Sequence, residues 1–141
     1  MIGVFLDANV VVDFMDASAK DHQSAYETIR IVRAYFGKPL VSPFTFVIAN
    51  YLFGKQVKNK EQHRQKMQFV FSEFLFTPVA ASFSEAIFKS RFIDLEDAAQ
   101  YGCANEAKAK LIVTKDVHDY FPSSIPVIHP QDFVHRYNNL L

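Results

Sequence analysis

Short apolar runs alternate with longer stretches of helical spacing along this chain. Gly3–Leu6 is an unbroken apolar run that stops at Asp7. A run so short and continuous predicts a strand buried on both faces, as in a parallel sheet. Residues 8–15 read as a short helix. Val10-Val11-Val12 is a poor helix former by propensity, so tertiary packing has to hold it. After the polar break at 16–21, Asp21 is the candidate N-cap of a helix over 22–36. Ala25, Ile29, Val32 and Phe36 repeat along one side of it, and Gly37 supplies the stop. Leu40-Val41 is a second short strand. Ser42-Pro43 then gives an N-cap and a first-turn proline to a helix over 43–55. That helix is apolar nearly all round (Phe44, Phe46, Val47, Ile48, Leu52, Phe53) and is expected to be buried on several sides, with Asn50 as its polar interruption.

A further helix runs to about Glu73, with Met67, Val70, Phe71 and Phe74 inward. Residues 75–79 predict a strand whose Pro78 marks an end or a sheet edge. Ser82 or Ser84 caps a short helix ending near Arg91, and Ser82 with Glu85 has the spacing of a capping box. An acidic start at 94–97 opens a helix of small residues. Leu111–Thr114 is the clearest apolar strand after the first, 125–128 is the last, and Pro130 begins a closing helix carrying Phe133, Val134 and Tyr137. Strands alternating with helices predict one α/β domain over residues 1–141. Its architecture is three-layer α/β/α, around a mostly parallel sheet of four to five strands.

Composition narrows the partners little. The 141 residues are half hydrophobic, and the 15 Phe, with no Trp, are expected to dominate the core. Fifteen basic residues balance fifteen acidic ones, which excludes a strongly basic nucleic-acid coat but not a local patch. Such a patch exists at residues 55–66, where five Lys or Arg stand against one Glu. With a single cysteine, Cys103, no intrachain disulfide forms. No apolar run is long enough to span a bilayer and the N-terminus lacks signal-peptide character, so a cytoplasmic protein without a membrane partner is expected.

The chemistry lies in the acids. Asp7 alone is better explained as a helix cap. A second strand, however, also ends in an acid, Asp116 after LIVT. Parallel strands of one sheet share a C-terminal edge, where open α/β sheets bind ligands. The helix start at Asp94 and Asp97 directly precedes that second strand, and these two acids share a helix face. Carboxylates gathered in one place repel unless a hard cation neutralises them, and such a cation can activate water against a phosphodiester. Zinc-type Cys/His spacing, a phosphate-binding glycine loop and a GxSxG elbow are all absent from the sequence.

FLDANVVVDF and DLEDAAQYGCANEAKAKLIVTKDVHDY resemble the two signature segments of the PIN-domain nucleases, which include the VapC-like toxins of toxin–antitoxin pairs. The closing IPVIHPQDFV resembles that family's terminal strand and helix. The resemblance implies an Mg²⁺- or Mn²⁺-dependent endoribonuclease using one or two ions. It implies Asp7, Asp97 and Asp116 as catalytic metal-binding acids, with Asp94 and Asp119 as supporting or second-metal residues. Asn50 occupies the position where many members carry a helix Glu, and the resemblance extends to a bacterial subset with Asn there. RNA is the implied substrate, with a cognate antitoxin and a second copy of the chain as implied partners.

Two further readings stay open. One is a PIN-like domain, catalytically impaired because Asn50 carries no charge, that binds RNA or a protein. The other is a phosphatase with Asp7 as nucleophile, disfavoured because position 9 is Asn where a second acid is wanted. Lys55, Lys58, Lys60 and Arg64 are candidate contacts to a nucleic-acid backbone or simply a solvated face. Asn9 and Asp13 read as structural, as do the histidines, with His118 the one worth keeping because it lies between Asp116 and Asp119. Thr114 either steadies a ligand or merely suits a strand, and Cys103 reads as core. The abundant Phe side chains fit a crowded core or, in part, a partner groove.

Overall fold

The computed structural model describes residues 3–140. Residues 1, 2 and 141 of the expected domain lie outside that range. Five strands, β1 (Val4–Leu6), β2 (Leu40–Val41), β3 (Leu75–Phe76), β4 (Leu111–Val113) and β5 (Val127–Ile128), form one sheet in the order β3-β2-β1-β4-β5. All pairings are parallel, and Phe5 lies opposite Leu40 on one side and Ile112 on the other. Among the described residues, seven α-helices connect and cover the strands: α1 (Ala8–Met15), α2 (His22–Tyr35), α3 (Pro43–Gly54), α4 (Lys60–Phe71), α5 (Phe83–Lys89), α6 (Leu95–Glu106) and α7 (Pro130–Tyr137).

The strand alternation divides the core in two. Val4, Leu6, Val41, Val113 and Ile128 face one side and pack with residues of α1, α2, α4 and α7. Phe5 and Ile112 face the other side and pack with Ala98, Cys103 and Ala104 of α6, while Phe83 and Ile87 of α5 close over that cluster. Since a strand turns successive side chains to opposite faces, an unbroken apolar run serves both layers at once. This is the expected three-layer α/β/α arrangement. Val10 and Val11 are fully buried against the sheet, so packing outweighs the weak helix propensity of α1.

Local signals held unevenly. Ser42 Oγ accepts from Thr45 N at 3.2 Å and Pro43 opens α3 as expected. Gly37, at φ 103°, ends the segment after α2 in the left-handed region that glycine tolerates. β3 is shorter than the expected 75–79 and lies at the sheet edge, which agrees with Pro78 just beyond it. Asp21 stands at the N-cap position of α2 without a capping hydrogen bond, because its carboxylate reaches Lys115 instead. Ser82 also makes no side-chain cap, and Glu85 pairs with Lys89 one turn on, so no capping box forms.

The largest departure is α3. It is not buried on several sides: only Thr45 and Ala49 are buried, and Val47 and Tyr51 are 61% and 65% exposed. Its main contacts are with α1 and α4, and Phe44 and Phe46 also meet Phe83 of α5 and Phe76 of β3 at 5.0 and 6.1 Å. An all-round apolar composition names no face, and apolar residues are free to sit on surfaces. Truncating the two kinds of position separates them. Leu6→Ala is expected to cost about 3 kcal/mol in urea unfolding, and Val47→Ala less than about 0.5 kcal/mol.

Candidate metal centre

Asp7 leaves the sheet as the residue after β1 and caps α1. Its backbone N–H still bonds Val113 O at 3.0 Å, so the β1–β4 ladder runs up to the carboxylate itself. Asp7 Oδ1 accepts from Ala8 N at 2.7 Å. Oδ2 accepts from Thr114 Oγ1 at 2.7 Å and from the Tyr120 hydroxyl at 3.1 Å. Thr114 Oγ1 in turn accepts from Asp116 N at 3.0 Å. Both placements discussed for Asp7 are therefore present together: it caps a helix and stands at the C-terminal edge of the sheet.

Asn9 joins the two strand ends. Its amide nitrogen donates to Asp116 Oδ2 at 3.1 Å and approaches Thr114 Oγ1 and Asp7 Oδ2 at 3.3 and 3.4 Å. Its carbonyl accepts from Lys115 N at 3.2 Å. The sequence reading of Asn9 as merely structural is thus too narrow. The signal was its position two residues after Asp7, at the start of a helix leaving the sheet edge. Asp13 does belong to the scaffold, with its carboxylate 2.7 Å from Lys115 Nζ. Tyr120, four residues after Asp116, carries no polar signal in sequence, and only the 3₁₀ turn Val117–Tyr120 brings its hydroxyl inward.

Asp97 arrives from the first turn of α6. Asp94 caps that helix, its Oδ1 accepting from Glu96 N at 2.7 Å and from Asp97 N at 3.4 Å. One carboxylate oxygen each of Asp7, Asp97 and Asp116 lies within 4.8 Å of the others. Asp7 and Asp97 are buried and Asp116 is exposed. Burial pushes the Asp7 carboxyl up to about 6, although hydrogen bonds from Thr114, Ala8 and Tyr120 pull the other way. The Asp97 carboxyl is pushed up to about 7, first by burial and then by the charges of Asp7, Asp94, Asp116 and Asp119. Two carboxyls so close to neutrality record the cost of crowding negative charge away from water.

The other candidates are differently engaged. Asp94 and Asp119 push on Asp97 electrostatically but are not members of the cluster of three. Asn50 Oδ1 accepts from His63 Nε2 at 2.8 Å across α3 and α4. It lines a cavity of about 910 Å³ with Lys55, Lys60 and Arg64, and none of the three acids borders that cavity. Lys58 is not in its lining either. Lys115, despite its place beside Asp116, turns its ammonium to Asp13 and Asp21, at 2.7 and 3.4 Å, and adds no cation to the acids. His118 is exposed, and Cys103 is buried as expected.

The PIN-domain family profile matches residues 3–118, most of the chain. The chain belongs to the PIN-domain family. Its fold is similar to that of solved toxin–antitoxin structures. Rickettsia felis VapBC2 bound to a promoter DNA fragment aligns with a TM-score of 0.68 at 17% identity, over 92% of this chain and 98% of that one. A toxin–antitoxin complex from Klebsiella pneumoniae aligns with a TM-score of 0.64 at 18% identity, over 91% and 98%. Mycobacterium tuberculosis VapC20, described as a sarcin–ricin loop cleaving toxin, aligns with a TM-score of 0.61 at 11% identity, over 88% and 99%. No curated protein is close enough in sequence to match.

Charge crowding in this PIN domain has a measurable sign. The folded values of Asp7 and Asp97 lie above the ordinary 3.8, so between about pH 4 and 7 the folded chain holds more protons than the unfolded one. Their contribution to stability therefore falls as pH rises through that window. Asp97→Asn is expected to raise the metal-free stability at pH 8 by on the order of 1 kcal/mol and to flatten the fall. Urea unfolding at a series of pH values measures both, and an unchanged profile would mean that the acids do not strain the fold.

Proposed function

We propose that the chain is a single PIN domain over residues 1–141 acting as a metal-dependent endoribonuclease, the toxin of a type II toxin–antitoxin pair. The observation that carries this reading is the meeting of Asp7, Asp97 and Asp116 at the sheet edge. Their donor set is entirely carboxylate oxygen, with no His or Cys, which suits Mg²⁺ or Mn²⁺ rather than zinc. One or two ions fit this chemistry. When bound, the metal offsets the clustered negative charge and supplies Lewis-acid activation of water and of the scissile phosphodiester.

The chain's own residues supply position. Ala8, Thr114 and Tyr120 hold Asp7, Asn9 ties Asp116 to Asp7, and the capped start of α6 fixes Asp97. Asp116, the exposed acid, is the one most open to a substrate. Asp94 and Asp119 serve as outer acids, keeping the potential negative around the ions or supporting a second one. Lys55, Lys60 and Arg64 around the α3–α4 cavity, with Lys58 between the helices, contact the phosphate backbone of RNA. Apolar residues left exposed on α3 and β3, among them Val47, Tyr51 and Leu75, accept a cognate antitoxin or the second chain of a homodimer. The toxin–antitoxin complexes among the structural neighbours support such a partner, and the name of VapC20 supports RNA as substrate. A cytoplasmic location agrees with the finding that no described helix is long and apolar enough to cross a membrane.

Asn50 favours a second reading, a domain that binds RNA or a protein without cleaving. Its amide is neutral and its carbonyl is engaged by His63. Calorimetry separates the two: a chain that binds RNA but no Mn²⁺ at millimolar concentration belongs to the second. Under the first, Asp7→Asn and Asp116→Asn each reduce Mg²⁺-stimulated RNA cleavage by at least about 100-fold. Lys60→Glu with Arg64→Glu weakens RNA binding whatever the sequence and lowers the salt slope by about two. Cleavage unaffected by the Asp substitutions would remove the nuclease reading.

A further inference from the structure

Asp7 is hydrogen-bonded unevenly. Oδ2 accepts from Thr114 Oγ1 at 2.7 Å and the Tyr120 hydroxyl at 3.1 Å, with the Asn9 amide at the margin, 3.4 Å away. Oδ1 accepts only from Ala8 N, at 2.7 Å. A carboxylate oxygen offers about two lone pairs. Oδ2 is therefore filled by the protein, and Oδ1 keeps one lone pair free.

Tyr120 is held firmly in this role. It is 2% exposed, and the Phe92 ring meets it edge-on at 5.4 Å. Phe92 packs on Tyr101 at 5.2 Å, whose hydroxyl pairs with Ser124 Oγ at 2.9 Å. Phenylalanine at 120 would keep the ring contacts. Asp7 is the one partner of the Tyr120 hydroxyl among the described residues. An ionised carboxylate has no proton to give, so the Tyr120 hydroxyl is the donor in this bond.

We propose that Tyr120 is a positioning residue: with Thr114 it occupies Asp7 Oδ2 and leaves Oδ1 as the single oxygen that Asp7 offers to a divalent ion. This rests on the metal reading above. A carboxylate restricted to one oxygen suits small octahedral ions, whereas Ca²⁺ accepts bidentate carboxylates and irregular shells. Tyr120 thereby biases the site toward Mg²⁺ or Mn²⁺ against Ca²⁺. Removing the hydroxyl frees a lone pair on Oδ2, loosens the carboxylate and relaxes that bias.

The test is calorimetric titration of the metal-free full chain with Mn²⁺ and, separately, Ca²⁺, for wild type, Tyr120→Phe and Thr114→Val. Tyr120→Phe is expected to keep the wild-type far-UV spectrum and to bind Mn²⁺ about tenfold more weakly. Its affinity for Ca²⁺ changes by less than about threefold, because Ca²⁺ tolerates the freed geometry. Thr114→Val empties the other half of the cradle and also frees the Asp116 N–H, so its Mn²⁺ loss is expected to be larger but still selective over Ca²⁺, and it carries the test should Tyr120→Phe not fold. Mn²⁺ affinities within about twofold of wild type, or equal losses for both ions, would overturn the proposal, because a purely structural role moves both ions together. A wild-type chain that binds no Mn²⁺ overturns the metal reading and this one with it. Wild-type binding matched by the variants overturns only the role of Tyr120.

Discussion

Leu6 lies opposite Val113 in the parallel pairing of β1 with β4, so the residues that follow leave the sheet side by side. Everything at the acidic edge depends on that register. Asp7 N bonds Val113 O, Thr114 reaches Asp7, and Asn9 spans from one strand end to the other. A slip of one residue would turn each of these side chains to the opposite face. The register is in turn held by burial on both sides, since Val4, Phe5, Leu6, Ile112 and Val113 are all essentially inaccessible to water. At about 25 cal/mol per Å² of apolar area withdrawn from water, exposing either face of these strands would cost several kcal/mol.

That rigid edge carries electrostatic cost without dispersing it. Burial raises Asp7 and Asp97 toward neutrality, and the clustered acids raise Asp97 further. Lys115, next to Asp116 in the chain, is drawn back to Asp13 and Asp21. Burial lowers the Lys115 ammonium, and its bonds to those two acids more than offset this. The protein thus separates its own ion pair from its acidic cluster and keeps negative charge concentrated where a divalent ion would offset it. The hydrogen bonds around Asp7 act in the same direction, favouring the charged carboxylate that burial opposes.

Basic and apolar surface is kept elsewhere. Lys55, Lys60 and Arg64 gather at the cavity between α3 and α4, beside exposed Tyr51. The same helix pair holds Asn50 through His63, away from the acids' own hydrogen bonds. The residues that line that cavity and the three clustered acids are therefore separate sets.

Sequence alone determined the layered α/β fold, the apolar strands β1 and β4, the Ser42-Pro43 start of α3 and the placing of three acids at strand and helix ends. These follow from short-range rules: apolar runs of strand length, caps at fixed offsets, and the shared edge of parallel strands. Tertiary structure decided what those rules cannot reach. It exposed one side of an all-apolar helix, because composition without a period does not name a face. It withheld the caps expected of Asp21 and Ser82, with the Asp21 carboxylate reaching Lys115 instead. It also turned Asn9 onto Asp116 and Tyr120 onto Asp7, contacts that link residues 107 and 113 positions apart. Local pattern records which residues are able to bond, but the choice among partners belongs to the packed chain, where only one set of distances exists.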